Sequence, residues 1–145
     1  MNFLKIKLLH EDASLPLQAT EGSVGYDLFA YIKDEIIIEP QETIKIPTAI
    51  AIELDSGYGA FVYARSSLGI NHNIVPANCV GVIDSDYTGE IIVGLMNQSE
   101  TPYVVRPRDK IAQLVIMRCE TPGIVLCNEL KKTERGDKGL GSTGA

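Results

Sequence analysis

Short apolar segments with a two-residue period occur along almost the whole chain. In the first of them, Leu4, Ile6 and Leu8 would face one side of a strand, with two lysines on the other side. Similar β-rich segments follow, separated by Gly, Pro, Asp, Asn and Ser. They are EIIIEP, TIKIP, AIAIELD, GAFVYA, GEIIVGLMN, TPYVV, DKIAQLVIM and GIVLCNEL. This pattern predicts an all-β fold, as a sandwich, a jelly roll or a barrel, with one helical turn at residues 66–70.

Length, charge and cysteine content limit the class of protein. The chain has 145 residues, which fits one domain, and its formal net charge of -6 argues against a protein that coats nucleic acid. No run approaches the roughly 18 apolar residues of a membrane helix, and MNFLKIKLLH lacks the pattern of a signal peptide. Cys79, Cys119 and Cys127 give no disulfide framework. We expect a soluble, cytoplasmic protein with neither a nucleic-acid nor a membrane partner.

The C-terminal segment KKTERGDKGLGSTGA differs in composition from the rest of the chain. It is rich in glycine and has little to place in a core, so we expect a β domain over 1–130 and a Gly-rich arm over 131–145. A frayed end is one interpretation of such a terminus. The other is a mobile arm that closes over an anionic ligand, because Arg135, Ser142 and Thr143 supply donors and glycines let backbone N–H groups approach closely.

A second group of donors follows the predicted strand GAFVY. Arg65, Ser66 and Ser67, in the segment ARSSLG, place a guanidinium and two hydroxyls at a strand end, which suits a chain of phosphates. The same residues are compatible with an arginine paired to a nearby carboxylate beside a capped turn. Both interpretations remain open at this point.

The segment GVIDSDYTGEIIVGLMN, residues 81–97, predicts a hairpin with its tip at residues 87–89. Asp84 and Asp86 are two residues apart and would share one face of the strand. Aspartates in such a segment commonly form turns. Because an apolar run leads directly into Asp84, we expect its carboxylate at the rim of the core, partly desolvated and fixed, as suits a general base.

These segments occur in the order found in a known family. The chain resembles the trimeric deoxyuridine triphosphatases (dUTPases) over nearly its full length, and all five motifs of that family are present. The motifs are GSVGYDL (22–28), ARSSLG (64–69), NCVGVIDSDYTG (78–89), RPRDKIAQLV (106–115) and RGDKGLGSTG (135–144). IDSDYTG and RGxxGxGSTG are the most specific parts.

The resemblance implies a fold, an assembly and an activity. The family has a jelly-roll-like β fold (β-clip) and forms homotrimers with active sites at the subunit interfaces. The implied substrate is dUTP, which is hydrolysed to dUMP and pyrophosphate by attack of water on the α-phosphorus. This reaction keeps uracil out of DNA and supplies dUMP for thymidylate synthesis.

The resemblance also implies roles for individual residues. Asp84 matches the base that orients and deprotonates the water, and Tyr87 matches the ring that stacks under deoxyribose and excludes a 2′-hydroxyl. The residues implied near the nucleoside are Asn78, Gly81, Val82, Ile83, Tyr87, Ile92 and Leu140. The residues implied near the phosphates are Arg65, Ser66, Ser67, Gln113, Arg135, Gly141, Ser142 and Thr143.

Mg²⁺ is the implied cofactor, bound through the triphosphate oxygens and water. No direct protein ligand is expected, and Asp27 is implied near the metal's water shell or the phosphates. His72 and Cys79 are too isolated in the sequence to suggest a structural metal site.

Leu140 is the main departure from the family pattern. It stands where the family usually has a Phe that stacks on uracil, so we expect weaker closure of the arm but intact chemistry. Two other functions compete with hydrolysis of dUTP. Deoxycytidine triphosphate deaminases share the fold, but they place a catalytic Glu where this chain has Gly94. A protein that senses the nucleotide without turning it over is the second alternative.

Overall fold

The computed structural model describes residues 3–137 and residue 139. Over these residues the chain forms ten β-strands and one short helix. In chain order they are β1 (Lys5–Leu8), β2 (Tyr26–Phe29), β3 (Ile36–Ile38), β4 (Thr43–Glu53), β5 (Tyr58–Tyr63), α1 (Ser66–His72), β6 (Ile74–Pro76), β7 (Gly81–Ile83), β8 (Glu90–Asn97), β9 (Tyr103–Val105) and β10 (Lys110–Arg118). The prediction of an all-β fold is confirmed, and the predicted helical turn is α1.

Two four-stranded sheets form the body of the fold. The first sheet has the strand order β1–β4–β8–β6, and the second has the order β2–β10–β5–β7. Strands β3 and β9 pair with each other in a two-stranded ribbon. All pairings are antiparallel. Because antiparallel strands can bury one face and expose the other, this arrangement accounts for the two-residue period of the sequence.

One cluster of buried apolar side chains joins the two sheets. Ile46 and Leu95 come from the first sheet, Leu28 and Leu114 come from the second, and all four side chains have no exposed surface. Burial of each such side chain contributes about 1.5–3 kcal/mol relative to exposure. The core therefore fixes the two sheets against each other, and with them the loops that connect the sheets.

The predicted hairpin at residues 81–97 is wrong. Strand β7 pairs with β5 in the second sheet, whereas β8 lies between β4 and β6 in the first. Strand β6 pairs with β8 only at residues 95–97 and β7 does not pair with β8, so the first half of β8 has one edge without a strand partner among the described residues. Residues 84–89 therefore form a loop that crosses from one sheet to the other.

The strand predicted for GIVLCNEL, residues 123–130, is also wrong for this chain. These residues form no strand, and the side chains of Ile124, Val125 and Leu126 are almost fully exposed. A strand needs a partner for its backbone N–H and C=O groups, and within the described residues no strand pairs with this segment. The local alternation is typical of a strand, but no strand edge among the described residues pairs with this segment.

Helix length and the state of the cysteines bear on the class of protein. Within residues 3–137 and 139, no helix is long and apolar enough to cross a membrane. Cys79, Cys119 and Cys127 are free thiols in this structure.

Candidate active site

A cavity of about 280 Å³ lies where residues 84–89 cross between the sheets. Its lining includes every described residue that was predicted to bind the nucleoside, namely Asn78, Gly81, Val82, Ile83, Tyr87 and Ile92. Asp84, the predicted base, lines it as well. Leu140, the remaining predicted nucleoside residue, lies outside the described residues. The volume is close to the lower end of the usual range for small-molecule sites, roughly 300–1,000 Å³.

Backbone groups of β8 face this cavity. Ile92 is paired with Pro47 of β4, which has no N–H to donate. Two residues further on, the carbonyl of Gly94 accepts a hydrogen bond from the N–H of Ala77, on the other edge of β8, at 2.8 Å. Alternate residues of a strand point their backbone groups to the same edge. The N–H and C=O of Ile92 therefore point toward the cavity, beyond the end of β6, as a fixed donor and acceptor.

The opposite wall is β7, the last strand of the second sheet. Its outer edge has no strand partner within the described residues, so its backbone can also meet a ligand. Asn78 lies in a tight turn just before β7, in which the N–H of Cys79 donates to the carbonyl of Pro76 at 2.9 Å. The Asn78 amide stands beside Gly81, where a Cβ would lie 3.4 Å from its Nδ2 atom. The predicted nucleoside residues therefore meet at two facing strand edges.

One turn brings Asp84 and Tyr87 together. The N–H of Tyr87 donates to the carbonyl of Asp84 at 3.1 Å, and the Tyr87 hydroxyl donates to the carbonyl of Glu90 at 2.8 Å. The Tyr87 side chain is 47% exposed, so one ring face is available to a ligand. This turn supplies a carboxylate and an aromatic face at the same mouth of the cavity.

Two predictions about the aspartates are wrong for the single chain. The side chain of Asp84 is exposed rather than partly desolvated, because the loop carries it beyond the edge of the core. Asp84 and Asp86 do not share a strand face, since the turn replaces the strand, and Asp86 is not part of the cavity lining. Any dehydration of Asp84 therefore has to come from a ligand, another segment or another subunit.

Glu90 lines the cavity and was not predicted. Its Oε1 atom accepts a hydrogen bond from the N–H of Ala49 at 2.8 Å. Ala49 has a φ of 55° and lies at the irregularity between Pro47 and Ala51 where β4 shifts its register against β8. The Glu90 carboxylate is thus committed to a structural contact, and no local sequence signal reveals a partner so distant in the chain.

The predicted phosphate residues lie at the other end of β5. Nε of Arg65 donates to Oδ1 of Asp27 at 2.8 Å, and Nη1 of Arg65 donates to the carbonyl of Lys110 at 3.3 Å. The ammonium of Lys110 lies 2.8 Å from Oδ2 of the same aspartate. Arg65 therefore forms the carboxylate ion pair that its sequence left open, and Lys110, which was not predicted, belongs to the same group.

Asp27 is the centre of this cluster. Burial raises its pKa, but the hydrogen bonds from Lys110 and Arg65 outweigh burial, so the pKa lies below its ordinary value. Its side chain is only 12% exposed. Asp27 is consequently ionised at neutral pH and holds two cations in fixed positions.

Gln113 supports the same loop from β10. It lies between Asp27 of β2 and Tyr63 of β5, and its Nε2 atom donates to the carbonyl of Ala64 at 2.8 Å. Gly25 leaves room for it, because a Cβ there would lie 2.6 Å from Oε1 of Gln113. Three of the five motifs are therefore joined by contacts between neighbouring strands.

A basic hollow of about 460 Å³ surrounds the Arg65 side. Its polar and charged lining is Arg65, Ser67, His72, Arg106, Arg108, Asp109 and Lys110. Ser66 and Ser67 are exposed at the start of α1. Arg135 is described but lines neither cavity, and Gly141, Ser142 and Thr143 lie outside the described residues. The excess of cations suits an anionic group such as phosphate.

The donor groups also bear on a metal ion. Among the described residues, no group of three or more His, Cys, Asp and Glu side chains could hold one. Mg²⁺ usually keeps several waters and is bound through one or two carboxylates and substrate phosphates. The residues present fit an ion carried by a phosphate ligand better than an ion in a protein cage.

Comparison with known proteins gives consistent matches. The family model described as dUTPase matches residues 11–144. A deoxyuridine 5'-triphosphate nucleotidohydrolase from Desulfitobacterium hafniense is 46% identical over 149 residues, which cover 99% of each chain.

Two solved structures share the fold. A Staphylococcus bacteriophage 80alpha dUTPase with dUpNHpp gives a TM-score of 0.86 at 26% identity and full coverage, 100% of each chain. A dUTPase from phage phi11 of S. aureus, which coordinates a structural Mg(II) ion, gives a TM-score of 0.81 at 25% identity. This second match covers 90% of the present chain and 100% of the phage chain. Both matches confirm the predicted jelly-roll-like fold.

Proposed function

This chain belongs to the dUTPase family, and we propose that the cavity between β7 and β8 holds the nucleoside of its substrate. The protein hydrolyses dUTP to dUMP and pyrophosphate. The observation that carries the site assignment is the meeting of two strand edges with Asp84 and Tyr87 in one cavity.

The two strand edges suit the polar edge of uracil. Ile92 offers a fixed backbone donor and acceptor, the edge of β7 at Val82 and Ile83 faces it, and the Asn78 amide lies at the end near Gly81. Cytosine would reverse one donor–acceptor pair and leave buried polar groups without partners. A mismatch of this kind can discriminate by about 10⁴-fold.

Asp84 is the proposed general base. It accepts a proton from water while the water oxygen attacks the α-phosphorus, and pyrophosphate leaves with the electrons of the broken P–O bond. The other carboxylate in the cavity, Glu90, already accepts a hydrogen bond from Ala49. Gly94 supplies no acid where a deaminase would need one. These contacts favour hydrolysis over deamination.

The homotrimer is expected from the family, and we propose that its active sites are shared, because the two ends of β5 that carry the predicted site residues lie far apart in one chain. Strand β7 places Gly81 opposite Val62 and Ile83 opposite Ala60, so Asp84 follows near Gly59. Arg65 lies six residues beyond Gly59 along the extended chain, a separation of roughly 20 Å at ~3.3 Å per residue. The Arg65 guanidinium also points toward β2 and β10, on the side of β5 away from β7.

The orientation of the nucleoside leads to the same conclusion. If uracil lies near Asn78 and the sugar lies near Tyr87, the triphosphate continues past Asp84, away from Arg65 of the same chain. Val82, Tyr87 and Ile92 leave exposed apolar surface at the rim of the cavity, as expected where another segment covers it. We therefore assign the phosphate residues Arg65, Ser66, Ser67 and Gln113 to a neighbouring subunit, and residues 135 and 140–143 to an arm that covers the ligand.

Mg²⁺ is the proposed cofactor, bound through the triphosphate and water. When bound, it neutralises phosphate charge and favours in-line attack. Asp27 is occupied by Arg65 and Lys110, so its contribution is to hold these cations near the phosphates. A cytoplasmic location, consistent with three free thiols, is part of the same proposal.

A substrate panel tests the activity. The protein is incubated with dUTP, dCTP, dTTP or UTP and Mg²⁺, and the release of pyrophosphate and ammonia is followed. We expect pyrophosphate from dUTP with little from the other three. Ammonia from dCTP would indicate a deaminase, and binding of dUTP without turnover would indicate a sensing protein.

Mixed subunits test the shared site. Asp84→Asn and Arg65→Ala should each be inactive alone, because every site then lacks one component. After unfolding and refolding together, hybrid trimers contain some sites in which both residues are native, and activity returns. Continued inactivity of refolded, trimeric mixtures would show that Asp84 and Arg65 serve the same subunit's site.

A further inference from the structure

The Tyr87 ring occupies the space in which a side chain at position 89 would stand. A Cβ built on Gly89 would lie 2.7 Å from the Tyr87 hydroxyl oxygen, 2.8 Å from Cζ and 3.1 Å from Cε2. Favourable contacts between heavy atoms begin at about 3.5 Å. Tyr87 can therefore hold this position only because residue 89 has no side chain.

The backbone does not itself require glycine at this position. Among the described glycines, positive φ values occur at Gly57 and Gly136, and not at Gly89. An L-residue can adopt the backbone conformation of Gly89 without the strain of the left-handed region. The constraint at position 89 is the packing of Tyr87.

A second contact fixes the far end of the ring. The Tyr87 hydroxyl donates to the carbonyl of Glu90 at 2.8 Å. Glu90 is anchored in the first sheet, since it pairs with Ala51 and its carboxylate accepts the N–H of Ala49. The ring is thus seated against Gly89 and tied at its hydroxyl to a rigid strand.

We propose that Gly89 is a specificity-determining residue, because it positions the Tyr87 ring as the wall that excludes a 2′-hydroxyl. The inference rests on the proposed function, in which Tyr87 faces the sugar of dUTP. A Cβ at position 89 displaces the end of an exposed side chain rather than a piece of the core. The substitution therefore disturbs recognition of the sugar and leaves the fold intact.

Gly89→Ala tests the proposal by pyrophosphate release from dUTP and from UTP. The ratio of kcat/KM for dUTP to that for UTP falls by about tenfold or more, within the roughly 10- to 200-fold that the fit of one small group supplies. The melting temperature stays close to that of the wild type. Gly22→Ala is the matched control, because a Cβ there meets no atom within 4 Å, and it leaves the ratio unchanged. An unchanged ratio in Gly89→Ala, or an equal fall in the control, overturns the proposal.

A double-mutant cycle asks whether Gly89 acts through Tyr87. In a Tyr87→Ala background, Gly89→Ala has no further effect on the ratio, and a further fall there contradicts the proposal.

Tyr87→Phe is a second variant that needs no change at position 89, so it remains informative even if Gly89→Ala does not fold. It removes only the bond to Glu90 and keeps the ring against Gly89, so most of the discrimination persists. If Tyr87→Phe no longer distinguishes dUTP from UTP, the hydrogen bond from the Tyr87 hydroxyl to Glu90 positions the ring, and the proposed role of Gly89 is contradicted.

The wild-type protein separates this inference from the proposed function. A wild type that releases no pyrophosphate from dUTP, or that uses UTP equally well, contradicts the proposed function. A wild type that prefers dUTP, together with a Gly89→Ala variant of the same ratio, contradicts the role of Gly89 alone.

Discussion

Replacement of Asp27 by Asn isolates the charge that holds Arg65 and Lys110. The amide has the same shape, and its oxygen can still accept the bond from Arg65. Its NH₂ group faces the Lys110 ammonium in place of an acceptor, so one charge-assisted hydrogen bond is lost. Such bonds contribute about 1.5–3 kcal/mol each. Because the Lys110 side chain is 36% exposed, we expect the lower end of this range, about 1.5–2 kcal/mol.

The expected consequences of Asp27→Asn are a lower melting temperature and weaker phosphate binding. In a domain of this size, each kcal/mol lowers the melting temperature by about 2–4 °C. An Arg65 side chain without its ionic partner should raise the KM for dUTP by about tenfold. Thermal melts at a fixed protomer concentration and steady-state kinetics measure both effects.

Glu35→Gln is the matched control for Asp27→Asn. Glu35 lies 3.0 Å from Nε of Arg106, but the two side chains are 57% and 60% exposed. A pair of this kind contributes about 0–1 kcal/mol. We expect Glu35→Gln to melt close to the wild type with an unchanged KM. If Asp27→Asn and Glu35→Gln had the same melting temperature and the same KM, the proposed role of the Asp27 charge would be refuted.

The pH dependence of stability supplies an independent check on Asp27. Its pKa is lower in the folded than in the unfolded protein. The ionised carboxylate therefore contributes stability above its unfolded pKa, about 3.9, and this contribution is lost as the pH falls through the folded value. Asn does not titrate, so the difference in free energy of unfolding between wild type and Asp27→Asn is full at pH 7 and shrinks below about pH 4. If this difference in free energy of unfolding instead increased as the pH was lowered, the assigned lowering of the Asp27 pKa would be contradicted.

Two further substitutions address the chemistry and the arm. Asp84→Asn should retain dUTP binding and lower kcat by about 10²- to 10⁴-fold, the usual contribution of a general base; near-normal turnover would remove Asp84 from that role. Leu140→Phe adds the aromatic face that the family usually has, worth about 1 kcal/mol, so kcat/KM for dUTP should rise by about fivefold. No change in kcat/KM would show that the arm does not stack on the base.

Local sequence patterns predicted individual strands and the helical turn, because these depend mainly on neighbouring residues. The strand at β10 and the helical turn at α1 follow from short-range patterns, whereas the grouping of Asn78, Asp84 and Tyr87 was implied by the resemblance to the family's motifs. The pairing of strands does not follow from such patterns, because it depends on which edges are free. Residues 81–97 contain two strands and a turn, which is the pattern of a hairpin, yet β7 pairs with β5 in the other sheet and the edge of β8 at Ile92 faces the cavity.

The roles of Lys110 and Glu90 could not be predicted from the sequence for the same reason. Lys110 and Glu90 act through Asp27 and Ala49, each distant in the chain. A charged residue at a strand end has many interpretations until its partner is known. The role of Asp27 as an anchor for two cations could be derived only from these contacts.

The proposed nucleoside and phosphate half-sites share one physical property, which bears on the proposed assembly. Arg65 is fixed by Asp27 and by the carbonyl of Lys110, and Tyr87 is fixed by Gly89 and Glu90, all within one chain. Neither half therefore needs the substrate to order it, so the ordering cost of binding falls mainly on whatever closes over the ligand. If the halves meet only between subunits, dissociation of the trimer should abolish turnover while each half keeps its contacts. Substitutions at Asp27 and at Gly89 should then be independent, with additive effects on kcat/KM, because the two clusters have no residue or contact in common.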